Sequence, residues 1–178
     1  MAGTVCAQTH DFPATNAAVL VKVEASLPPT AAQRAEQIRA ECLQGRRIIC
    51  GKILKVLPNG LVVDSGYTDL LRSPVNKSWL IPGRVAASRP ASQVESREPE
   101  SVCVGLVFVT DLPKSRGTRP KPYDYLNLLG YPTGEFTYNS VGTVQKTVRK
   151  FSANLLKAVD VNFKASDNPG AASAGGVK

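Results

Sequence analysis

The residues of this chain best suited to chemistry are basic and aromatic side chains, which together could bind a polyanion. Lys and Arg total 22 against 14 Asp and Glu, so the formal net charge is +8. Basic grooves attract single-stranded nucleic acids, and exposed aromatic rings stack on their bases. The candidate polyanion-binding residues are Arg46, Arg47, Lys114, Arg116, Arg119, Lys121, Lys146, Arg149 and Lys150. The candidate stacking residues are Tyr67, Tyr123, Tyr125 and Tyr138.

The sequence contains no recognisable catalytic motif. Its single His, His10, lies in a weakly patterned N-terminal arm far from any nucleophile motif, so a hydrolytic triad is not supported. Acidic residues such as Asp64, Asp111 and Glu135 stand at strand ends and turns, where carboxylates commonly cap backbone amides. No GxxxxGK[ST] or GxGxxG phosphate-binding sequence occurs. We therefore predict no catalytic residue, no cofactor and no enzymatic activity.

The four cysteines are Cys6, Cys42, Cys50 and Cys103, and their spacing is too wide and irregular for a zinc site or a redox pair. Cys6 and His10 could share a helix turn, but two ligands without a third make a poor metal site, so no metal is predicted. Four cysteines allow three fully paired connectivities, between which the sequence does not choose. Cys50 and Cys103 stand in apolar strands and are expected to be buried thiols.

A β-hairpin over residues 45–66 is the element around which the rest of the chain is expected to fold. Its two runs of Ile, Leu and Val meet at Pro58-Asn59-Gly60. Pro presets φ at the first turn position, and Asn and Gly tolerate the left-handed conformation that closes a tight turn. Residues 102–112 form the most continuous apolar run and predict a buried strand. Gly105 within that run indicates a bulge or a close backbone approach.

The C-terminal half predicts further strands. Residues 123–130 favour a strand, and residues 131–134 then form a turn. Aromatic and β-branched residues over 135–151 predict a second hairpin, which breaks at residues 139–142. Residues 153–163 are expected to add a closing strand or a last helical turn.

One helix is predicted before the first hairpin. Thr30 and Gln33 have the spacing of a capping box, and Gly45 in the C′ position ends the helix over residues 31–44. Because the apolar face of this helix is narrow and rich in Ala, the helix is expected to dock against a barrel or sheet. The only Trp, Trp79, is expected to plug the core.

The segments GKILKVLPNGLVV, GLVFVTDLP and PTGEFTYNSVGTVQKTVRKF resemble, in this order, a set of uncharacterised bacterial proteins, generally exported, that have a small OB- or S1-like barrel. Their signature is PTG-x-aromatic-x-Y followed by a Gly and a Thr-Val pair. This chain matches it at Pro132, Thr133, Gly134, Phe136, Tyr138, Ser140, Val141, Gly142, Thr147 and Val148. It departs from the signature in the turn, where one residue fewer follows Val141, and in its long loop at 84–100.

The resemblance covers residues 45–151 and implies a compact barrel and export, but it transfers no catalytic or binding residue. The fold predicted is mainly β, a small antiparallel OB/S1-like barrel with one N-terminal docking helix. The expected divisions are an N-terminal arm (1–29), a helix packed on the barrel (30–45), a β-barrel domain with a long loop at 84–100 (46–163), and a disordered tail (164–178).

The function predicted is a non-enzymatic binding or assembly module with an unknown protein or glycan partner. It would act through the barrel surface or through strand edges, which could also join copies of the chain into a homo-oligomer. The alternative is an OB-fold protein that binds single-stranded nucleic acid.

No apolar window reaches the roughly 18 residues that a membrane helix needs, so no membrane span is predicted. Val5-Cys6-Ala7 has the small residues of a signal-peptidase site. If an upstream signal is missing, the protein is exported to the periplasm or outside the cell. If Met1 is the native start, the protein is cytoplasmic.

Overall fold

The structure is a computed structural model that describes residues 29–73, 79–89, 94–114, 119–140 and 144–167. Within these residues the chain forms two α-helices, six strands and a 3₁₀ turn at Thr68–Leu71. The helices and strands are α1 (Ala31–Gln44), β1 (Arg47–Leu57), β2 (Gly60–Ser65), β3 (Leu80–Ile81), β4 (Gly105–Thr110), β5 (Tyr125–Asn139), β6 (Gln145–Ser152) and α2 (Leu155–Asp167). The prediction of a mainly β fold is confirmed.

Helix α1 begins at the predicted capping box. The Thr30 side chain accepts a hydrogen bond from the Gln33 N–H (3.3 Å), and the Gln33 side chain accepts one from the Thr30 N–H (2.8 Å). Gly45 ends the helix with a right-handed φ of −83°, so it does not form the left-handed C′ cap that the sequence predicts. Instead, a Cβ at Gly45 would lie 2.8 Å from Cγ of Pro132, and close packing therefore favours glycine there.

The first hairpin is confirmed, but the reason given for its glycine is wrong. Leu57 pairs with Gly60 across the two-residue turn Pro58-Asn59, and neither Asn59 nor Gly60 has a positive φ. A Cβ at Gly60 would overlap the carbonyl oxygen of Val109 on β4. Glycine is therefore needed because two strands approach closely, and not because the turn is left-handed.

The strand pairings return to the strand at which they begin. β1 pairs with β2, β2 with β4, β4 with β6, β6 with β5, and β5 with β1. The β4–β6 pairing is parallel, whereas the other four are antiparallel. β3 is a two-residue strand that pairs with β5. Five strands thus form a closed ring of hydrogen-bonded neighbours, and β3 lies outside that ring.

The core follows from the alternation of side chains along the strands. One face of the sheet buries Ile49, Ile53, Leu61, Val63, Cys103, Val107, Val109, Leu126 and Phe151. The intervening residues Val62, Phe108 and Val148 form a second buried cluster on the opposite face. We call this opposite face the outer face of β2, β4 and β6.

The predicted turn at residues 131–134 is wrong, because these residues continue β5. The register of β5 against β6 shifts between Pro132 and Glu135, and Gly134 has a φ of +101°. A bulge accommodates a Pro and a left-handed Gly inside a continuous strand. Gly105 starts β4 at a φ of +100°, and no atom of the described residues lies within 4 Å of its Cβ position, so glycine is favoured there by the backbone conformation and not by a close approach.

Helix α2 is longer than the closing segment that the sequence predicts, and it continues to Asp167, beyond the predicted start of the tail at residue 164. Ile38 and Cys42 of α1 pack against Ala158 of α2, and Asn162 donates a hydrogen bond to the carbonyl oxygen of Pro132 (2.9 Å). The two helices therefore cover one another beside β5, and α1 buries its apolar face mainly on α2.

Several predictions concern residues outside the described ranges or fail within them. Trp79 is only half-buried and belongs to none of the buried clusters of the described residues, so the predicted core plug is wrong. The core is filled by aliphatic strand residues instead. Residues 1–28 and 168–178, including Cys6 and His10, lie outside the described residues. None of the helices in the described part of the chain is both long and apolar enough to cross a membrane.

Candidate functional site

The outer half of the β5–β6 hairpin extends beyond the closed ring. β6 pairs with β4 only from Arg149 onward, whereas Glu135–Asn139 pair with Gln145–Arg149 alone. We call residues 135–139 and 145–148 the arm, which is distinct from the N-terminal arm of residues 1–29. The Phe136 ring of the arm stacks on the Phe108 ring of β4, with a centroid distance of 3.7 Å and an interplanar angle of 13°. This stack holds the arm against the outer face of the sheet.

A groove lies between the arm and the β1–β2 turn. Its cavity has a volume of about 240 Å³. The lining residues are Lys55, Leu57, Pro58, Asn59, Phe108, Phe136, Thr137, Tyr138, Asn139 and Gln145. We call this cavity the aromatic groove, because three of its side chains are aromatic and nearly parallel.

The three rings differ in exposure. Phe108 is fully buried, whereas Phe136 and Tyr138 are partly exposed. The Phe136 and Tyr138 rings are 6.4 Å apart with an interplanar angle of 9°. Parallel rings with one exposed end can accept a further flat ring by offset stacking. The groove therefore offers a stacking surface for a flat ligand.

Three lysines share the face of the sheet that carries these rings. Lys150 is opposite Phe108, Lys146 is opposite Tyr138 and Lys55 is opposite Val62, and directly opposed residues lie on the same face. Among the described residues, no carboxylate lies within ion-pair distance of any of these three ammonium groups. The outer face thus combines aromatic rings with positive charge that is available to an anion.

Three of the predicted polyanion-binding residues have other partners, so the structure does not support their assignment. Arg46 binds Glu100 at 2.8 Å. Arg149 makes two hydrogen bonds to the Glu95 carboxylate, at 2.6 and 2.7 Å, and a third to the Val104 carbonyl (2.8 Å). Arg47 lies 3.7 Å from Glu95 and donates to three backbone carbonyls, those of Gln44, Arg46 and Arg97.

Glu95, which belongs to the long loop, binds Arg149 of β6 next to the arm. Burial by itself raises the pKa of Glu95, but hydrogen bonds from Arg149 and from the Val104 N–H outweigh burial, so the pKa lies below its ordinary value. The carboxylate is therefore ionised at neutral pH. Residues 84–89 and 94–100, predicted as a long surface loop, contain neither helix nor strand.

The basic loop between β4 and β5 is exposed where it is described. Lys114, Arg119 and Lys121 have exposed side chains, and Arg116 lies outside the described residues. Pro120 of this loop and residues 56–61 line a shallow cleft of about 250 Å³ beside the β1–β2 turn. The basic loop thus approaches the same turn that borders the aromatic groove.

Two of the four predicted stacking tyrosines are used in packing. Tyr125 is only 8% exposed, and the Tyr67 ring meets it edge-on at 5.5 Å. The Tyr67 hydroxyl donates to Asp64 (3.3 Å), and burial followed by the Asp64 charge raises its pKa. The structure therefore does not support stacking by Tyr67 or Tyr125. Tyr138 lines the aromatic groove, and Tyr123 is 63% exposed on the basic loop.

Cys42, Cys50 and Cys103 are free and buried. Burial raises the pKa of Cys50 and of Cys103 to about 12, and the Asp69 charge adds to the effect at Cys50. Both thiols are thus protonated at neutral pH, and a protonated thiol is a weak nucleophile and metal ligand. In the described ranges, no three His, Cys, Asp or Glu side chains are grouped to hold a metal ion.

The sequence did not predict Phe108, Leu57, Asn59 and Gln145 as site residues. The run at 102–112 is apolar on both faces and predicts only a buried strand, so it does not distinguish the inner Val107 from the outer Phe108. The outer face is completed by Phe136, which is distant in sequence. Only the alternation within the run could have pointed to Phe108 as a residue of a second face.

Comparisons with protein-family models, with curated proteins and with solved structures gave no match for this chain. The resemblance to exported barrel proteins therefore stays a prediction. What can be inferred about function depends on the residues and geometry of this chain itself.

Proposed function

We propose that this protein is a non-enzymatic binding module built on an OB-type barrel, and that it binds single-stranded nucleic acid in the aromatic groove. The observation that carries the proposal is the near-parallel array of Phe108, Phe136 and Tyr138 on a face that also presents Lys55, Lys146 and Lys150. Single strands are bound without catalysis by this combination of stacking rings and positive charge.

The strand order supports the barrel. When the five strands of the closed ring are counted in chain order, the order around the ring is 1-2-3-5-4, and the fourth strand returns to the first. The third and fifth strands are the parallel pair. An OB fold is a five-stranded Greek-key barrel that binds oligonucleotides on the face of its second and third strands and with the loops after its first and fourth strands. The aromatic groove lies among the corresponding elements, which are β2, β4, the β1–β2 turn and the β5–β6 hairpin.

The groove's size favours a single flat group at a time. Its volume of about 240 Å³ is below the roughly 300–1,000 Å³ of sites for drug-sized ligands. One nucleobase, stacked beside Tyr138 while its neighbours follow the lysines, is consistent with this volume. Asn59, Asn139 and Gln145 at the rim supply amide donors and acceptors for the edge of a base.

The exported assembly module with a protein or glycan partner remains the alternative proposal. A glycan would use the groove's rings and amides but would gain little from three lysines that have no carboxylate partner among the described residues. The free thiols of Cys42, Cys50 and Cys103 also agree better with the nucleic-acid proposal, because exported proteins commonly pair their cysteines.

The test is fluorescence anisotropy with labelled oligo(dT), oligo(U) and a DNA duplex. We expect saturable binding to the single strands and much weaker binding to the duplex, whose bases are already stacked. Tyr138→Ala should weaken single-strand binding about 5- to 150-fold, since one stacked base contributes roughly 1–3 kcal/mol. Leu156→Ala, at a residue 76% exposed on α2, is the matched control. The proposal is wrong if single strands do not bind at low salt, or if Tyr138→Ala binds like the control.

A further inference from the structure

Tyr123 is an exposed aromatic residue in an unusual backbone conformation, outside the aromatic groove. Its side chain is 63% exposed, and its φ of +73° lies in the left-handed region. A bulky non-glycine residue rarely adopts this conformation. Such strain persists only where the surrounding structure enforces it, and it is concentrated at binding and active sites.

The loop that presents Tyr123 is held by hydrogen bonds on both sides. The Tyr123 N–H donates to the carbonyl oxygen of Ile53 (2.8 Å), and the Ile53 N–H donates to the carbonyl oxygen of Asp124 (2.8 Å). The Asp124 carboxylate accepts from the N–H groups of Lys121 (3.0 Å) and Gly83 (3.0 Å). The backbone that carries the ring is thus held in place before any ligand arrives, which lowers the entropy cost of binding there.

Positive charge accompanies the Tyr123 ring. The Lys52 ammonium lies 4.9 Å from the ring centroid, within the range of a cation–π interaction. Asp64, which is opposite Lys52 on β2, binds Arg89 (3.0 Å) and the Tyr67 hydroxyl (3.3 Å), and Lys52 forms no ion pair within the described residues. Tyr123 and Lys52 therefore combine an aromatic ring with a positive charge, as the aromatic groove does.

Lys52 and Lys55 lie along β1 between Tyr123 and the aromatic groove. Lys52 is opposite Asp64 and Lys55 is opposite Val62. Because Asp64 and Val62 are two residues apart on β2, they share a face, and so do the two lysines. The register of β1 shifts between Ile53 and Lys55, which keeps the two lysines on one face although they are three positions apart, and the distance between them is about 7–10 Å. Positive charge therefore continues along the outer side of β1 from the groove to Tyr123.

We propose that Tyr123 and Lys52 form a second binding station for the same single strand, which leaves the aromatic groove and runs along β1 past Lys55. This inference rests on the proposed function. A single strand rises about 3.4 Å per stacked nucleotide, so about two to three nucleotides beyond the one in the groove are needed to cover the distance between the lysines. A short oligonucleotide in the groove does not reach Tyr123, whereas a longer one does.

The test compares labelled oligo(dT) of about 2 nucleotides, which is too short to reach from the groove to Tyr123, with oligo(dT) of about 12 nucleotides, a length within the usual site sizes of OB folds. Tyr123→Ala should weaken binding of the longer strand about 5- to 150-fold and leave the shorter strand unchanged. Tyr123→Phe keeps the ring and should restore the longer strand to within about twofold of wild type. Leu156→Ala is the control for loss of an exposed apolar side chain, and circular dichroism checks that each variant is folded.

The outcomes separate this inference from the function on which it rests. If Tyr123→Ala leaves binding of the longer strand unchanged while Tyr138→Ala weakens binding of both lengths, the second binding station is wrong, and the proposed binding in the aromatic groove is retained. Equal weakening of both lengths by Tyr123→Ala also overturns a separate station. If neither length binds the wild-type protein, the proposed function is wrong, and this inference is wrong with it.

Discussion

Replacing Lys55, Lys146 and Lys150 together by Ala should lower the salt dependence of single-strand binding by a defined amount. These ammonium groups share the face that carries Phe108 and Tyr138, and no described carboxylate pairs with them. Each lysine that neutralises a phosphate releases condensed counterions, which is why affinity falls as salt rises. The variant should fold normally, because surface substitutions away from special features change stability by about 0.5 kcal/mol or less.

The size of the effect follows from the number of lysines. Each contact with a single strand contributes roughly 0.7 to the slope of log affinity against log salt, so three contribute about 2.1. Between about 50 and 200 mM salt, a fourfold change, these contacts account for a loss of affinity of about 18-fold. The triple variant should lose this part of the salt dependence.

The assay is anisotropy with labelled oligo(dT) at several salt concentrations. The matched control replaces Arg39, Lys157 and Lys164, which are exposed on α1 and α2, and so removes the same charge from another surface. The control should keep the wild-type slope. If the two triple variants have equal slopes, binding responds only to net charge, and the assignment of phosphate contacts to the outer face is refuted.

Four further predictions concern stability and reactivity. Gly60→Ala should lower the free energy of unfolding by about 2 kcal/mol or more in urea denaturation, because its Cβ meets β4, whereas Asn59→Ala should change it little. Thr30→Ala should cost about 1 kcal/mol through loss of the α1 cap. Because the pKa of Glu95 is lowered in the folded protein, its ionised carboxylate stabilises the fold above pH 4.5, its ordinary pKa, and this stabilisation is lost as the pH falls through the pKa of the folded state. Glu95→Gln should therefore make the free energy of unfolding, measured with urea, less dependent on pH in the acid range. Cys50 should resist alkylation at neutral pH in the native protein and react after unfolding, and modification in the native state would contradict its burial.

The local features of the fold were predictable because the residues that determine them are neighbours in sequence. The capping box at Thr30 and Gln33 sets the start of α1, and the apolar runs on either side of Pro58 set β1 and β2. By contrast, the need for glycine at position 60 arises from contact with β4, nearly 50 residues away. The turn pattern suggested a conformational reason, and only the packing shows the actual one.

The kind of candidate site was predictable from the sequence, but the residues that form it were not. Basic and aromatic residues predict a polyanion surface, and Tyr138, Lys146 and Lys150 do lie on the outer face. Arg149 was assigned to the same surface, yet its guanidinium binds Glu95, which is 54 residues away in the chain. A formal charge count cannot reveal which cations already have a carboxylate partner, because that depends on long-range contacts.

The most direct test of the central claim is to map oligo(dT) binding by amide chemical-shift changes in NMR spectra. If the aromatic groove binds single strands, the largest changes should occur at Asn59, Phe136, Tyr138 and Gln145, with little change along α1 and α2. Shifts that concentrate on the helices would contradict this account, as would a titration that leaves the arm and the β1–β2 turn unchanged.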